Sequence, residues 1–206
     1  MRLSWIPLCV AVVLVAFWMH SRTTAAPDAA QRKADIGQPA PDFTLRDVYG
    51  KQFTLSEFKG KIVVLEWVNP DCPVSRGRHE SQLMQKTYAK YADKDVIWLG
   101  IDSTHYAKPE TLRVYRAQKY LAFPILMDPE GKVGRLYDAK TTPHMYVIDR
   151  QGRLVYAGAI DNDPRGNKKD DERINYVAAA VEDLLADRAV ATGRTDPYGC
   201  SVKYAP

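Results

Sequence analysis

The segment VVLEWVNPDCPVSRGR, residues 63–78, constrains this chain more than any other stretch. Val63 to Val68 is an apolar run broken only by Glu66, the pattern of a strand buried on both faces. Asn69-Pro70-Asp71 ends the strand, and the residues after Pro73 suit a helix, with Leu83, Met84, Tyr88 and Tyr91 at helical spacing. Cys72 therefore stands where a strand stops and a helix starts, with Pro73 well placed at the first helical position. Free backbone N–H groups and the positive end of a helix dipole favour an anion there, and Arg76 and Arg78 add to the effect. The spacing predicts an accessible, low-pKa thiolate, which is a nucleophile.

The segment Glu66-Trp67-Val68-Asn69-Pro70-Asp71-Cys72-Pro73 resembles the active-site strand and loop of the thioredoxin superfamily. The resemblance puts Cys72 at the attacking cysteine. It puts Glu66 at the buried acid that moves protons during disulfide exchange, with Trp67 and Asn69 beside the substrate. The chain departs from Cys-x-x-Cys, because the run here is Cys72-Pro73-Val74-Ser75 and the local resolving thiol is missing.

Upstream, Met1-Arg2 leads into an apolar run from Trp5 to Met19, followed by the small residues Thr24, Ala25 and Ala26. This is the layout of a signal peptide over 1–26, or of an uncleaved membrane anchor, so the chain is expected to be exported to a periplasmic or extracellular compartment. Arg2 and Arg22 are the only charges in that segment, which leaves 27 basic against 25 acidic residues beyond it. Such a balance gives no electrostatic case for nucleic acid. Cys9 lies within the apolar run, so Cys72 and Cys200 are the cysteines of the exported part, and an oxidising compartment favours a bridge between them.

Residues 27–35 read as a linker. From Ile36 to Lys61, Phe43 and Leu45, then Phe53 and Leu55, alternate with polar residues about Gly50, predicting an N-terminal hairpin. With Gly37, Ala40-Pro41, Asp47, Phe58 and Gly60-Lys61 in order, this stretch is similar to the opening of the redoxin group, which includes peroxiredoxins and thiol reductases. Further on the pattern predicts a helix to about Tyr91, a strand over Val96–Asp102, a helix over Pro109–Tyr120, an extended piece over Phe123–Asp128 and a short helix over Gly131–Tyr137. A return strand over Arg153–Ile160 and an amphipathic helix over Ile174–Leu185 close the pattern. Alternating strands and helices make an α/β sheet. The expected fold is thioredoxin-like, a mixed sheet flanked by helices with an N-terminal β-hairpin extension, over residues 36–186.

Thr142-Pro143, just before the apolar strand 144–148, resembles the cis-proline segment that lies beside the thioredoxin cysteine, where the Thr142 backbone would pair with a substrate strand. The charged loop 161–173 is read as solvated and His79 and His144 as weak candidates, so no metal and no cofactor are expected. The tail, 187–206, carries Gly199-Cys200 on what reads as a movable arm. Cys200 would resolve a sulfenic acid or mixed disulfide on Cys72; a structural bridge or an unpaired thiol are the alternatives. Two activities compete: exchange with a disulfide-containing protein, and reduction of a hydroperoxide, each needing a thiol reductant. The resemblance to peroxiredoxins fails where they carry a proline, a Thr or Ser, and an arginine, because Leu65, Asn69 and Pro143 stand there. Exchange therefore leads, and a non-catalytic binding module of the same fold is the third reading.

Overall fold

The computed structural model describes residues 32–206. Strand β1 (Thr44–Asp47) and β2 (Gln52–Thr54) form the N-terminal hairpin. Strand β3 (Ile62–Trp67) leads to α1 (Pro73–Glu80) and α2 (Leu83–Tyr91). After β4 (Val96–Asp102) come α3 (Pro109–Gln118), β5 (Ile125–Met127) and α4 (Lys132–Leu136). The two-residue strand β6 (Thr141–Thr142), β7 (His144–Ile148) and β8 (Leu154–Gly158) precede α5 (Tyr176–Leu185), and β9 (Cys200–Ser201) lies in the tail.

Seven strands make one mixed sheet in the order β2-β1-β5-β4-β3-β7-β8. Strand β3 is central, parallel to β4 and antiparallel to β7, and every one of its residues is buried. Strict alternation along it then divides the core in two. Ile62, Val64 and Val68 pack on one side with Met84, Trp98, Val147 and Val181, and Val63, Leu65 and Trp67 on the other with Phe43, Leu99, Tyr137 and Tyr146. Glu66 and Trp67, adjacent in sequence, therefore face opposite halves of the core.

The helix expected to run from Pro73 to Tyr91 is two helices. Gln82 adopts the left-handed conformation (φ 59°) and begins α2, while the Gln85 amide side chain donates to the His79 carbonyl at 2.9 Å. A kinked pair lets α1 bury His79 against Glu66 and α2 bury Met84 and Tyr91, which one straight helix of this composition does not do at both places. Helix α5 starts at Tyr176, because Asn175 caps it by accepting from the Ala178 N–H at 2.9 Å.

The tail is no free arm. Its backbone bonds to Ala157 and Lys140, the Tyr204 hydroxyl donates to the Ala139 carbonyl at 2.8 Å, and β9 pairs antiparallel with β6. The residues 1–26 read as a signal or anchor lie outside the described residues, and no described helix is long and apolar enough to cross a membrane.

Candidate active site

Cys72 is the N-cap of α1. Its backbone is extended (φ −82°, ψ 116°), Pro73 occupies the first turn, and its sulfur accepts the Ser75 N–H at 3.5 Å. Asn69 builds the loop that brings it there: its side-chain oxygen accepts the Asp71 N–H at 2.7 Å, and its carbonyl accepts the Cys72 N–H at 3.1 Å. Asn69 is buried and serves the turn. The thiol, expected to be accessible, is only 1 % exposed. What covers it is the tail.

The Thr142–Pro143 bond is cis, and Thr142 lies beside the sulfur: the Cys72 thiol donates to the Thr142 carbonyl oxygen at 3.0 Å. Thr142 also pairs with Cys200 in the β6–β9 ladder. The backbone edge expected to take a substrate strand is thus occupied by the chain's own tail, with a cysteine opposite. Gly199 makes this possible. It sits at φ +135°, and a Cβ there would come within 2.1 Å of the Thr142 carbonyl oxygen.

No bond joins Cys72 to Cys200 in this structure. Burial works against ionisation of Cys72, but hydrogen bonds from the Cys200 thiol, the Ser75 N–H and the Cys200 N–H help to outweigh it and hold the Cys72 pKa below the ordinary thiol value. The Cys200 pKa is raised, because its thiol donates to the Cys72 sulfur, is partly buried and lies next to that sulfur's charge. The same contact shifts the two cysteines in opposite directions, Cys72 toward the thiolate and Cys200 toward the thiol. The Thr142 carbonyl is the contact that favours the neutral form of Cys72.

Glu66 is fully buried and turned toward α1. One carboxylate oxygen accepts the Trp98 indole N–H at 2.9 Å, and the other lies 2.9 Å from His79 Nε2, close but poorly aligned for a hydrogen bond. His79, considered for contact with Cys72, is instead the partner of Glu66. His144 packs on Tyr146 with its Nδ1 3.0 Å from the phenol oxygen, and burial lowers its pKa to about 3, so it stays neutral. Trp67 corrects the sequence reading. It is fully buried on the opposite face, where its indole N–H donates to the Ser103 hydroxyl at 3.0 Å and its ring packs 5.0 Å from that of Tyr146.

Sequence reasoning missed the groups that hold the tail down. Buried Arg78 on α1 donates to the Asp163 carbonyl and stacks 5.2 Å from the Tyr198 ring, and the Tyr198 hydroxyl donates to Asp161. The charged loop after β8 is therefore partly a buried clamp, with Arg173 reaching Asp163 at 3.3 Å. No local pattern announces such a clamp, since its members are far apart in sequence.

Comparison with known proteins agrees with this geometry. The model of the AhpC/TSA family matches residues 36–157. The chain belongs to the AhpC/TSA family. Among curated relatives it is 31 % identical to the thiol-disulfide oxidoreductase ResA of Bacillus thuringiensis subsp. konkukian, over 61 % of this chain and 70 % of the relative. A solved structure of a hypothetical protein from Sinorhizobium meliloti superposes with a TM-score of 0.74 at 28 % identity, covering 85 % of this chain and 97 % of the other. A putative thiol:disulfide interchange protein DsbE from Chlorobium tepidum gives a TM-score of 0.54 at 29 % identity over 61 % of this chain and 85 % of its own. Within the AhpC/TSA family this chain is a thioredoxin-fold enzyme of the thiol–disulfide oxidoreductase class.

Proposed function

We propose that this AhpC/TSA-family enzyme works outside the cytoplasm, delivered there by residues 1–26, and reduces disulfides in protein substrates with Cys72 and Cys200 as its redox pair. The observation that carries the reading is the seating of Cys200 opposite Thr142 with its thiol donating to the Cys72 sulfur. The tail supplies from a distance the second thiol that Ser75 replaces locally.

The steps follow from the chemistry of thiolates. With the tail displaced, the Cys72 thiolate attacks one sulfur of the substrate disulfide, and the substrate's other sulfur leaves as a thiolate. The Thr142 edge then takes the substrate strand in place of β9, with Pro143 shaping the turn. When the tail returns, the Cys200 thiolate attacks the Cys72 sulfur, the second substrate thiolate leaves, and a Cys72–Cys200 disulfide forms. Two electrons have passed to the substrate, and an external dithiol restores the pair. Glu66 takes up and returns the proton of Cys72.

Peroxide reduction finds less support. A peroxide needs a positive donor at its oxygens. Pro143 stands where peroxiredoxins have that arginine, and Arg78, the buried arginine of the active-site helix, is committed to Asp161, Asp163 and Tyr198. The experiment is a Cys200→Ala enzyme incubated with an oxidised substrate protein. It should accumulate a mixed disulfide on Cys72, while the parent enzyme should yield a Cys72–Cys200 peptide in non-reducing mass spectrometry. Peroxide consumption with dithiothreitol, lost in Cys72→Ser and unaccompanied by protein-disulfide reduction, would overturn the reading. Neither activity would leave a binding module.

A further inference from the structure

From Cys200 onward the tail is held by two kinds of contact. Thr142 pairs with Cys200, the Val202 N–H donates to the Lys140 carbonyl at 3.0 Å, and the His105 N–H donates to the Lys203 carbonyl at 2.9 Å. These are backbone bonds, which an extended segment of almost any sequence can make. Tyr204 is held differently, because its side chain enters a slot on α4.

The slot exists because two residues lack side chains. A Cβ on Gly131 would lie 2.5 Å from a carbon of the Tyr204 ring, and one on Gly134 would lie 2.5 Å from the Tyr204 hydroxyl oxygen. Gly131 also sits at φ +67°, where a side chain is strained. Buried Asp128 fixes the walls. Its carbonyl accepts the Gly131 N–H at 2.8 Å, and one carboxylate oxygen accepts the Gly134 N–H at 2.8 Å and the Ser103 hydroxyl at 2.6 Å. The Arg135 guanidinium lies 4.6 Å from the centre of the ring, and the phenol donates to the Ala139 carbonyl at 2.8 Å. Shape, cation and acceptor together suit a phenol.

We propose that this slot is a substrate subsite, which takes a tyrosine side chain four residues after the substrate cysteine. The inference rests on the exchange reaction proposed above, in which a substrate strand replaces β9 on the Thr142 edge. Displacing the tail takes Tyr204 out of the slot. A strand that lies as β9 lies, with its cysteine where Cys200 stands, brings its fourth following residue to α4. The backbone bonds accept almost any such strand, and the slot chooses among them. A strand without an aromatic ring at that position leaves the slot unfilled and the Ala139 carbonyl without this donor.

The test uses the full-length Cys200→Ala enzyme and peptides of residues 198–205, each joined through its cysteine to thionitrobenzoate. The Cys72 thiolate attacks the peptide sulfur, a Cys72–peptide disulfide forms, and the coloured arylthiolate leaves. The peptide that keeps Tyr204 should react at least about tenfold faster than one with alanine there, the low end of what a filled pocket discriminates. Gly134→Ala in the enzyme should close the slot and bring the two peptides to equal rates. Its methyl would also lie 2.7 Å from the Ser103 hydroxyl, so Arg135→Ala is the second variant, with both glycines intact. It should lower the preference about threefold, the loss of one cation over the ring. Equal rates for the two peptides in the Cys200→Ala enzyme, or a preference that survives both further changes, overturns the subsite. No reaction with either peptide or with the symmetrical aromatic disulfide would instead remove the exchange chemistry on which the inference rests.

Discussion

Cys200 stands opposite Thr142 in the β6–β9 ladder, on the backbone edge that the proposed function gives to a substrate strand. Cys200→Ala removes the thiol that does most among the hydrogen bonds to hold the Cys72 thiolate, while the backbone N–H remains. The Cys72 pKa should rise toward the ordinary thiol value, seen as a shift of the ultraviolet thiolate transition to higher pH. The sign carries over to stability. A depressed folded pKa adds stability above the unfolded value, near 9.0, and loses it as pH falls through the lowered value, so the variant loses part of that contribution on the alkaline side. The raised pKa of Cys200 acts oppositely, favouring the fold below the unfolded thiol value until pH climbs through the folded one. A thiolate transition unmoved in the variant would mean that Cys200 does not touch the sulfur in solution.

Gly199→Ala should release the tail. A methyl 2.1 Å from the Thr142 carbonyl oxygen, on a backbone at φ +135°, forces β9 off β6. Cys72 should then alkylate at least about tenfold faster, because its cover depends on local opening of the tail. The second step, closure of the Cys72–Cys200 disulfide, should slow in the same enzyme. Equal alkylation in the two proteins would show that the tail does not shield the thiol.

The strands of the sheet and the active-site loop were legible in the sequence because each rests on a local signal, whereas the cis proline was legible only through the resemblance of Thr142-Pro143 to the thioredoxin segment. Val63 to Val68 announces a strand buried on both faces, and a proline just after a strand-to-helix turn announces a cap. Trp67 was not legible as a core residue. The sequence shows that it is beside the loop, but its face is fixed by alternation along β3 and by where Ser103 and Tyr146 lie, which only the assembled sheet decides. The break at Gln82 escaped for a similar reason: nothing in Ser81-Gln82-Leu83 forbids a continuous helix, and the left-handed turn answers to packing of His79 and Met84. Gly199 was read as a mark of mobility. In the fold its missing side chain is what lets the tail dock.

Trp67→Phe separates a core role from a substrate role. It removes the indole N–H that the Ser103 hydroxyl accepts, and Ser103 in turn donates to Asp128 at 2.6 Å, so a buried network loses one donor. The cost should be about 1–3 kcal/mol, visible as a lower denaturation midpoint. The exchange rate of the folded fraction should not change. A variant of parental stability with a raised KM would return Trp67 to the substrate surface.

Glu66→Gln tests the acid without removing its shape. The amide oxygen can still accept from Trp98, but the side chain can no longer take a proton. The side chain keeps its shape and its bond from Trp98, so the fold should persist. Exchange at neutral pH should nevertheless slow by on the order of a hundredfold, and recover as alkaline pH ionises Cys72 directly. A slower rate with the fold kept is what a residue held only for packing cannot produce; an unchanged rate with the fold intact would strip Glu66 of its part in the chemistry.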